Sequence, residues 1–297
     1  MLHREFAIDP DQIEDIKDVR LLEGRFGYDK GAVISAFPKR WFGTVAEKLS
    51  KSVSDKKVDS ISDDLKALKD KAVVSFSRDF THDVWIDSAK ASHQKSPFHR
   101  LVESSLNEPP TLVSNIYDLK DPDFHTESQS YRSASGLAEA SKLLLMYAEK
   151  VTVVDPYICL SKPGYRNTLI ELMRRCRKSK VRFNIFCENE GKSDWNSVRK
   201  PALQAFVNDI MPENFELHWY SISDGGTGYI HARGLFTAKG GIRYDRGFEV
   251  PNDHEQRRTA ADVAVMSMSE WEQKVEDYNE VQLPSKFTLE HRWSGSK

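Results

Sequence analysis

The sequence has little cysteine and no long apolar run. Its three cysteines, Cys159, Cys176 and Cys187, are scattered over 297 residues and form neither a CxxC pair nor a zinc-binding spacing. No run of about 18 apolar residues occurs, so no transmembrane segment is expected. The first residues also lack the apolar core of a secretory signal. These absences predict a cytoplasmic protein with reduced thiols.

Net charge is also nearly absent, because 43 basic residues oppose 45 acidic ones. The global charge therefore gives no indication of a polyanionic partner, and any anion-binding surface must be local. Two stretches are locally basic. Residues 174–182 hold six cations and no acid, and residues 231–246 hold four cations and one acid.

Hydrophobic patterning divides the chain near residue 130. Residues 1–130 mix short apolar stretches with loops and predict a smaller amino-terminal domain, mixed or mostly helical, of unknown role. Residues 131–297 alternate strand and helix patterns, which predicts an α/β domain with a mixed sheet flanked by helices. The predicted strands are Val151–Val154, Val181–Cys187, Phe215–Tyr220, Ile230–Thr237, Ile242–Phe248, Val263–Met266 and Phe287–Trp293.

The strand predicted at Ile230–Thr237 carries the most informative chemistry. Side chains alternate in a strand, so His231 and Arg233 would point to the same face. An arginine presents a planar fork of donors to phosphate oxygens, and a neutral histidine can attack phosphorus or accept a proton. On the predicted returning strand, Arg246 could reach the same place and Glu249 could orient His231.

These residues resemble the phospholipase D-like superfamily. The resemblance rests on His-x-Arg at 231–233, a glycine turn, and the run 245–249. A second stretch supports one branch, the phospholipase D-like domain at the carboxyl terminus of MIT-domain proteins. In that branch a similar strand end precedes an Asn-Leu-rich helix, as residues 153–158 do here. The resemblance covers about residues 130–295 and implies a phosphodiester ligand and chemistry without a metal or other cofactor.

The resemblance and the residues together assign candidate roles within that domain. Candidate catalytic residues are His231, Arg233 and Glu249. Candidate phosphate-binding residues are Arg233, Arg246, Arg243 and Lys239. Candidate supporting residues are Asp155, Tyr157 and Asn167.

The motif departs from that of active phospholipase D enzymes. Arg233 stands where those enzymes have lysine, and Ala238 occupies the position of their aspartate. Only one copy of the motif is present, which in this superfamily implies a homodimer that brings two histidines together. The MIT-linked branch also lacks the aspartate and is regarded as a binding domain. Three interpretations stay open: metal-independent cleavage by His231, anion binding without turnover, and a purely structural salt-bridge network.

The other basic stretch spans the end of a predicted helix and the start of a strand. Cations are favourable at a helix carboxyl terminus, so a solvated helix end explains the segment without a ligand. The alternative is contact with a nucleic-acid phosphate backbone or with an anionic lipid. The candidate contact residues are Arg174, Arg175, Arg177, Lys178 and Lys180.

The sequence therefore predicts a phosphodiester-handling protein that binds, and in one interpretation cleaves, nucleic acid. By analogy alone, such a chain would suit a bacterial anti-phage defence system with several protein components. The alternative is a catalytically inactive adaptor that binds a protein partner or an anionic ligand. His82, His93 and His99 have no metal-ligand spacing and are interpreted as surface histidines.

Overall fold

The computed structural model describes residues 2–52, 55–75, 78–104, 111–124, 126, 128–188 and 195–297. The chain forms two compact units. The amino-terminal unit is His3–Thr126, and the carboxy-terminal unit is Glu127–Lys297 together with the first two residues. No helix among the described residues combines the length and apolar character needed to cross a bilayer.

The amino-terminal unit alternates strands and helices. Its strands are β1 (Arg4–Ile8), β2 (Ala32–Ser35), β3 (Val73–Val74), β4 (Arg100–Val102) and β5 (Leu112–Val113). Its helices are α1 (Ile16–Arg25), α2 (Trp41–Ser52), α3 (Asp55–Ala72), α4 (Trp85–Lys95) and α5 (Asp121–Phe124). The strands form one sheet in the order β3-β2-β1-β4-β5, and every pairing is parallel.

The sequence did not predict this parallel sheet, although residues in helices outnumber residues in strands in this unit. The strands are two to five residues long, and β2 is buried along its whole length. Helices cover a parallel sheet on both faces, so its strands show no alternation of apolar and polar residues. The pattern that identifies half-exposed strands is therefore missing here.

Trp41 fixes the start of α2 against the central strand. Its side chain is fully buried, and its indole N–H donates to the carbonyl of Ile8 at 2.6 Å. Trp85 makes a similar bond to the carbonyl of Phe37 at 3.0 Å, but Trp85 is only partly buried. Water can replace the second bond more easily than the first.

Trp41→Phe should lower the free energy of unfolding by about 2 kcal/mol, because a buried carbonyl loses its donor and a small cavity remains. Trp85→Phe removes the same kind of hydrogen bond at a more solvent-exposed position and should lower the free energy of unfolding by about 1 kcal/mol or less. Urea denaturation of both variants measures the difference. Equal losses would contradict the role given to burial.

The carboxy-terminal unit contains the longer elements. Its strands are β6 (Gln129–Tyr131), β7 (Lys150–Val154), β8 (Val181–Glu188), β9 (Phe215–Ser223), β10 (Gly234–Phe236), β11 (Gly241–Tyr244), β12 (Ala260–Val265) and β13 (Thr288–Ser296). Its α-helices are α6 (Ala134–Ala140), α7 (Lys142–Tyr147), α8 (Pro163–Arg175), α9 (Lys200–Ala205), α10 (His254–Arg257) and α11 (Met268–Asp277). Wider helical turns at Trp195–Arg199 and Phe206–Ile210 flank α9.

These strands form one mixed sheet in the order β13-β9-β8-β7-β10-β11-β12-β6. The pairs β7–β8 and β8–β9 are parallel, and the pairs formed by β10, β11, β12 and β13 are antiparallel. The predicted α/β domain with a mixed, helix-flanked sheet is confirmed at this level. The apolar runs and alternation that predicted β7, β8 and β9 correspond to buried strands in the middle of the sheet.

The predicted strand at Ile230–Thr237 is wrong in its first half. Tyr229–His231 forms a short 3₁₀ turn, and β10 begins only at Gly234. Gly234 pairs with Val154, the last residue of β7, so the residues before Gly234 have no β7 residue to pair with. The returning strand is also shorter than predicted, because β11 ends at Tyr244 and a turn follows.

Candidate functional site at the carboxyl edge of β7

Asp155 lies at the centre of the candidate site, directly after β7. Its side chain is 1% exposed and accepts backbone N–H groups from Tyr157 and Phe248, each at 3.0 Å. Burial raises the pKa of this carboxyl, against the opposing effect of the two N–H groups and of Arg233. Asp155 thus joins the loop after β7 to the turn after β11.

Gly247 lets that turn approach the carboxylate closely. Its φ of 66° lies in the left-handed region. A Cβ at this position would lie 2.4 Å from Oδ2 of Asp155 and 2.9 Å from Cδ of Arg233. Only glycine fits both the backbone conformation and the space.

Arg233 stands beside Asp155, one residue before β10. Its Nη1 donates to the carbonyl oxygen of Asp245 at 2.6 Å, and its guanidinium carbon lies 5.2 Å from the centre of the Tyr157 ring. The turn and the ring hold the guanidinium in one place. An arginine held in this way can present its remaining N–H groups to an anion without losing much conformational freedom.

A second ionic group lies next to this pair, at the start of α8. Lys162 Nζ lies 3.3 Å from a Glu249 carboxylate oxygen and 5.7 Å from the centre of the Tyr165 ring. Tyr165 is almost completely buried, and burial raises the pKa of its hydroxyl, with Asp155 and Glu249 adding to the effect. Glu249 therefore has a lysine partner.

A surface cleft of about 640 Å³ opens beside Arg233. Arg243, Asp245 and Asp262 line it as well, together with the apolar residues Val263 and Ala264 near the end of β12. Arg243 lies 3.4 Å from Glu270 and is more than half exposed. The cleft thus brings two guanidinium groups and two carboxylates together.

The predicted site residues separate into near and distant groups. Arg233, Asp155, Tyr157 and Glu249 lie around the β7 edge, as described above. His231 ends a 3₁₀ turn two residues before Arg233, and its side chain lies outside the described part of the structure. The prediction that His231 and Arg233 share one face of a strand is therefore wrong, because neither residue is in a strand.

The remaining predicted phosphate-binding and supporting residues are Arg246, Lys239 and Asn167. Arg246 is exposed and pairs with its neighbour Asp245 at 3.3 Å. Lys239 lies in the turn between β10 and β11, about six residues along the chain from Arg233 and so at the opposite end of this hairpin. Asn167 is exposed on α8.

The basic segment 174–182 lies at the other edge of the sheet. It precedes and begins β8, whose eight residues span about 26 Å before the carboxyl edge is reached. Acids accompany most of its cations: Arg174 lies 2.6 Å from Glu171, and Lys180 lies 2.7 Å from Glu216. Lys180 and Arg182 lower the pKa of Glu216 to about 2. Arg175 and Lys178 also have carboxylate neighbours, whereas Arg177 is exposed.

Sequence reasoning missed Lys162, Tyr165 and Gly247. The sequence shows the order Gly247-Phe248-Glu249, but the positive φ of Gly247 and its close approach to Asp155 depend on the tertiary fold. Two of the histidines interpreted from the sequence as surface residues are partly buried and have protein partners: His93 accepts from the N–H of Phe98, and His99 lies within hydrogen-bonding distance of Arg4. Within the described ranges, no three His, Cys, Asp or Glu side chains form a metal-binding group.

Comparison with known proteins assigns neither a family nor a function to the chain. No protein-family model matches the chain, and no curated protein is significantly similar to it.

Proposed function

We propose that the carboxy-terminal unit is a phospholipase D-like domain that binds phosphodiesters of nucleic acid in the cleft beside Arg233. The observation that carries the proposal is the fixed guanidinium of Arg233 at the carboxyl edge of β7. Ligands of α/β proteins commonly bind at the carboxyl ends of parallel strands. An arginine held there by a backbone carbonyl and an aromatic ring is suited to a phosphate group.

Arg243 supplies a second cation to the same cleft. Its ion pair with Glu270 is solvent-exposed and long, at 3.4 Å, and such pairs contribute little free energy. A phosphate can therefore compete for this guanidinium. Tyr157 is 38% exposed and offers a ring on which a base can stack.

Asp155 supports this site as a positioning residue. Both of its carboxylate oxygens accept backbone N–H groups, and it is nearly inaccessible to solvent. It therefore does not replace the aspartate that is missing from the motif. Binding without turnover is the function that these contacts favour over cleavage.

Arg233→Ala should weaken binding of a fluorescein-labelled single-stranded oligonucleotide roughly tenfold, about 1.4 kcal/mol. The slope of log Kd against log salt concentration should fall by about 1, because one phosphate contact is lost. Fluorescence anisotropy at several salt concentrations measures both quantities.

Arg292→Ala is the matched control. Arg292 is an exposed arginine whose guanidinium, like that of the half-buried Arg233, lies over a tyrosine ring, that of Tyr220 at 5.5 Å, but it lies on the edge strand β13. This variant should bind like the wild type. If both variants bind equally, or if the wild type binds neither DNA nor RNA, the proposal fails. Arg174→Ala tests the nucleic-acid contact at the opposite edge of the sheet.

The same samples test cleavage by His231. Degradation of the oligonucleotide in the presence of a metal chelator, abolished by His231→Ala, would show that the domain is an enzyme and overturn the assignment as a binding domain. A two-histidine mechanism would also require a second copy of the chain, so analytical ultracentrifugation belongs to this test.

A further inference from the structure

One face of the strands β11, β12 and β6 is open to solvent. On β12, Ala260 and Asp262 are exposed, whereas Ala261 and Val263 are buried. Arg243 of β11 is exposed in the same way, between two buried residues of that strand. Alternation of this kind is typical of an antiparallel sheet that packs on the core with one face and meets water with the other. Side chains on the solvated face are therefore accessible to a ligand.

β6 extends that surface to the edge of the sheet. Gln129 pairs with Asp262, and Tyr131 pairs with Ala260, so the side chains of each pair lie on the same face. Tyr131 is 67% exposed, and Nε2 of Gln129 donates to Oδ1 of Asp262 at 3.3 Å. An exposed aromatic ring on a sheet surface is a platform on which a nucleic-acid base can stack. These four residues and Arg243 define the open face.

The open face is continuous with the cleft beside Arg233. Arg243 and Asp262 belong to both surfaces, because they also line the cleft. Tyr131 lies on β6, two strands away from β11 in the sheet, which corresponds to about 10 Å. A phosphate held at Arg233 and a base held at Tyr131 therefore belong to different nucleotides of one strand.

Asp262 determines which form of nucleic acid fits this surface. Its exposed carboxylate lines the cleft beside that of Asp245. A duplex carries its phosphates on the outside, and carboxylates repel them. An unpaired base instead presents N–H donors on its Watson–Crick edge, which a carboxylate accepts. Tyr131 and Asp262 are diagonal neighbours on adjacent strands, about 7–8 Å apart, so one base can contact both.

We propose that the open face binds an unpaired base of a single-stranded nucleic acid, stacked on Tyr131 with its pairing edge towards Asp262. This site rests on the proposed function, because the same strand places a phosphate at Arg233. It adds that the ligand is single-stranded and that Tyr131 and Asp262 contact it. RNA and DNA share this chemistry, so single strands of both kinds are used as probes.

Tyr131→Ala should weaken binding of a fluorescein-labelled single strand of about ten nucleotides by about fivefold or more, which is the effect of losing one stacked base. The slope of log Kd against log salt concentration should stay unchanged, because the tyrosine contacts no phosphate. Tyr131→Phe keeps the ring and should bind like the wild type. Fluorescence anisotropy at several salt concentrations measures the affinity and the slope.

Tyr117→Ala is the matched control. Tyr117 is 59% exposed but belongs to the amino-terminal unit, and its loss should leave binding unchanged. If Tyr131→Ala is unstable, Tyr131→Leu keeps an apolar side chain without a ring and should show the same loss of affinity. Wild-type affinity in the folded alanine or leucine variant would overturn the proposal.

Competition between single-stranded and double-stranded DNA of one sequence tests the role of Asp262. The wild type should prefer the single strand. Asp262→Asn removes a repulsive charge and should strengthen duplex binding roughly two- to fivefold at low salt, so that the preference narrows. Equal affinity of the wild type for both forms would contradict the selection of single strands.

Arg233→Ala separates the open-face site from the proposed function. If Arg233→Ala weakens oligonucleotide binding while Tyr131→Ala does not, the open-face site is wrong and the proposed function stands. If the wild type binds no oligonucleotide, the proposed function fails and the open-face site fails with it.

Discussion

Gly247→Ala is expected to lower the free energy of unfolding of the carboxy-terminal unit by about 3 kcal/mol. About 1–2 kcal/mol comes from placing an alanine in the left-handed region, where Gly247 has a φ of 66°. The rest comes from overpacking, because the new Cβ would lie 2.4 Å from the buried carboxylate of Asp155. Urea or thermal denaturation monitored by circular dichroism measures the loss.

The same substitution should weaken oligonucleotide binding by more than its effect on stability implies. The added methyl group also approaches Cδ of Arg233 at 2.9 Å, so the guanidinium must leave the position set by the Asp245 carbonyl. Binding is measured at a temperature where the variant remains folded. In that folded fraction we expect a loss of affinity comparable to that of Arg233→Ala, roughly tenfold.

Gly225→Ala separates the two causes. Gly225 has nearly the same φ, 64°, but its Cβ would meet no atom within 4 Å. This variant should lose about 1 kcal/mol of stability from backbone strain alone. Equal stability losses at the two glycines would show that the close contact with Asp155 has no energetic weight.

The comparison of sequence and structure shows which features local patterns can reveal. The strands β7 and β8 were predictable, because β-branched runs and strict alternation reflect burial in the middle of a sheet. The segment before Gly234 was predicted as part of a strand but has no β7 residue opposite it, since β7 ends at Val154. Whether these residues form a strand depends on how far β7 extends, and that length cannot be read from the residues before Gly234.

Local sequence patterns also did not predict which charged residues lie close together in the fold. Residues 174–182 and Arg233 both belong to basic stretches, yet they lie at opposite edges of the sheet. Within the second stretch, Lys239 is at the far end of the hairpin from Arg233. A basic run in the sequence therefore does not correspond to one basic surface here.

The second large effect is expected in the amino-terminal unit, at the ion pair of Glu5 with Arg78. The two side chains are 9% and 8% exposed, and the contact is bidentate, at 3.1 Å for Nε–Oε1 and 2.6 Å for Nη2–Oε2. The guanidinium carbon also lies 3.8 Å from the centre of the Phe98 ring. Arg78→Ala should destabilise this unit by about 3–5 kcal/mol at pH 7, because it leaves a buried carboxylate without its cation.

The pH dependence of that loss identifies its cause. Burial is the largest influence on Glu5 and raises its pKa above the ordinary 4.5, while Arg78 opposes the rise. Without Arg78 the folded-state pKa should rise further, so the folded variant takes up a proton. The stability contributed by that protonation is present below pH 4.5 and is lost as the pH rises through the folded pKa. The loss of stability of Arg78→Ala relative to wild type should therefore be smaller at pH 5 than at pH 7.

Lys95→Ala is the control. It breaks the ion pair of Lys95 with Asp79, in which both side chains are 70% exposed, and it should cost no more than about 0.5 kcal/mol of stability at either pH. A pH-independent deficit for Arg78→Ala would mean that lost packing on Phe98, rather than the unpaired carboxylate, causes the effect.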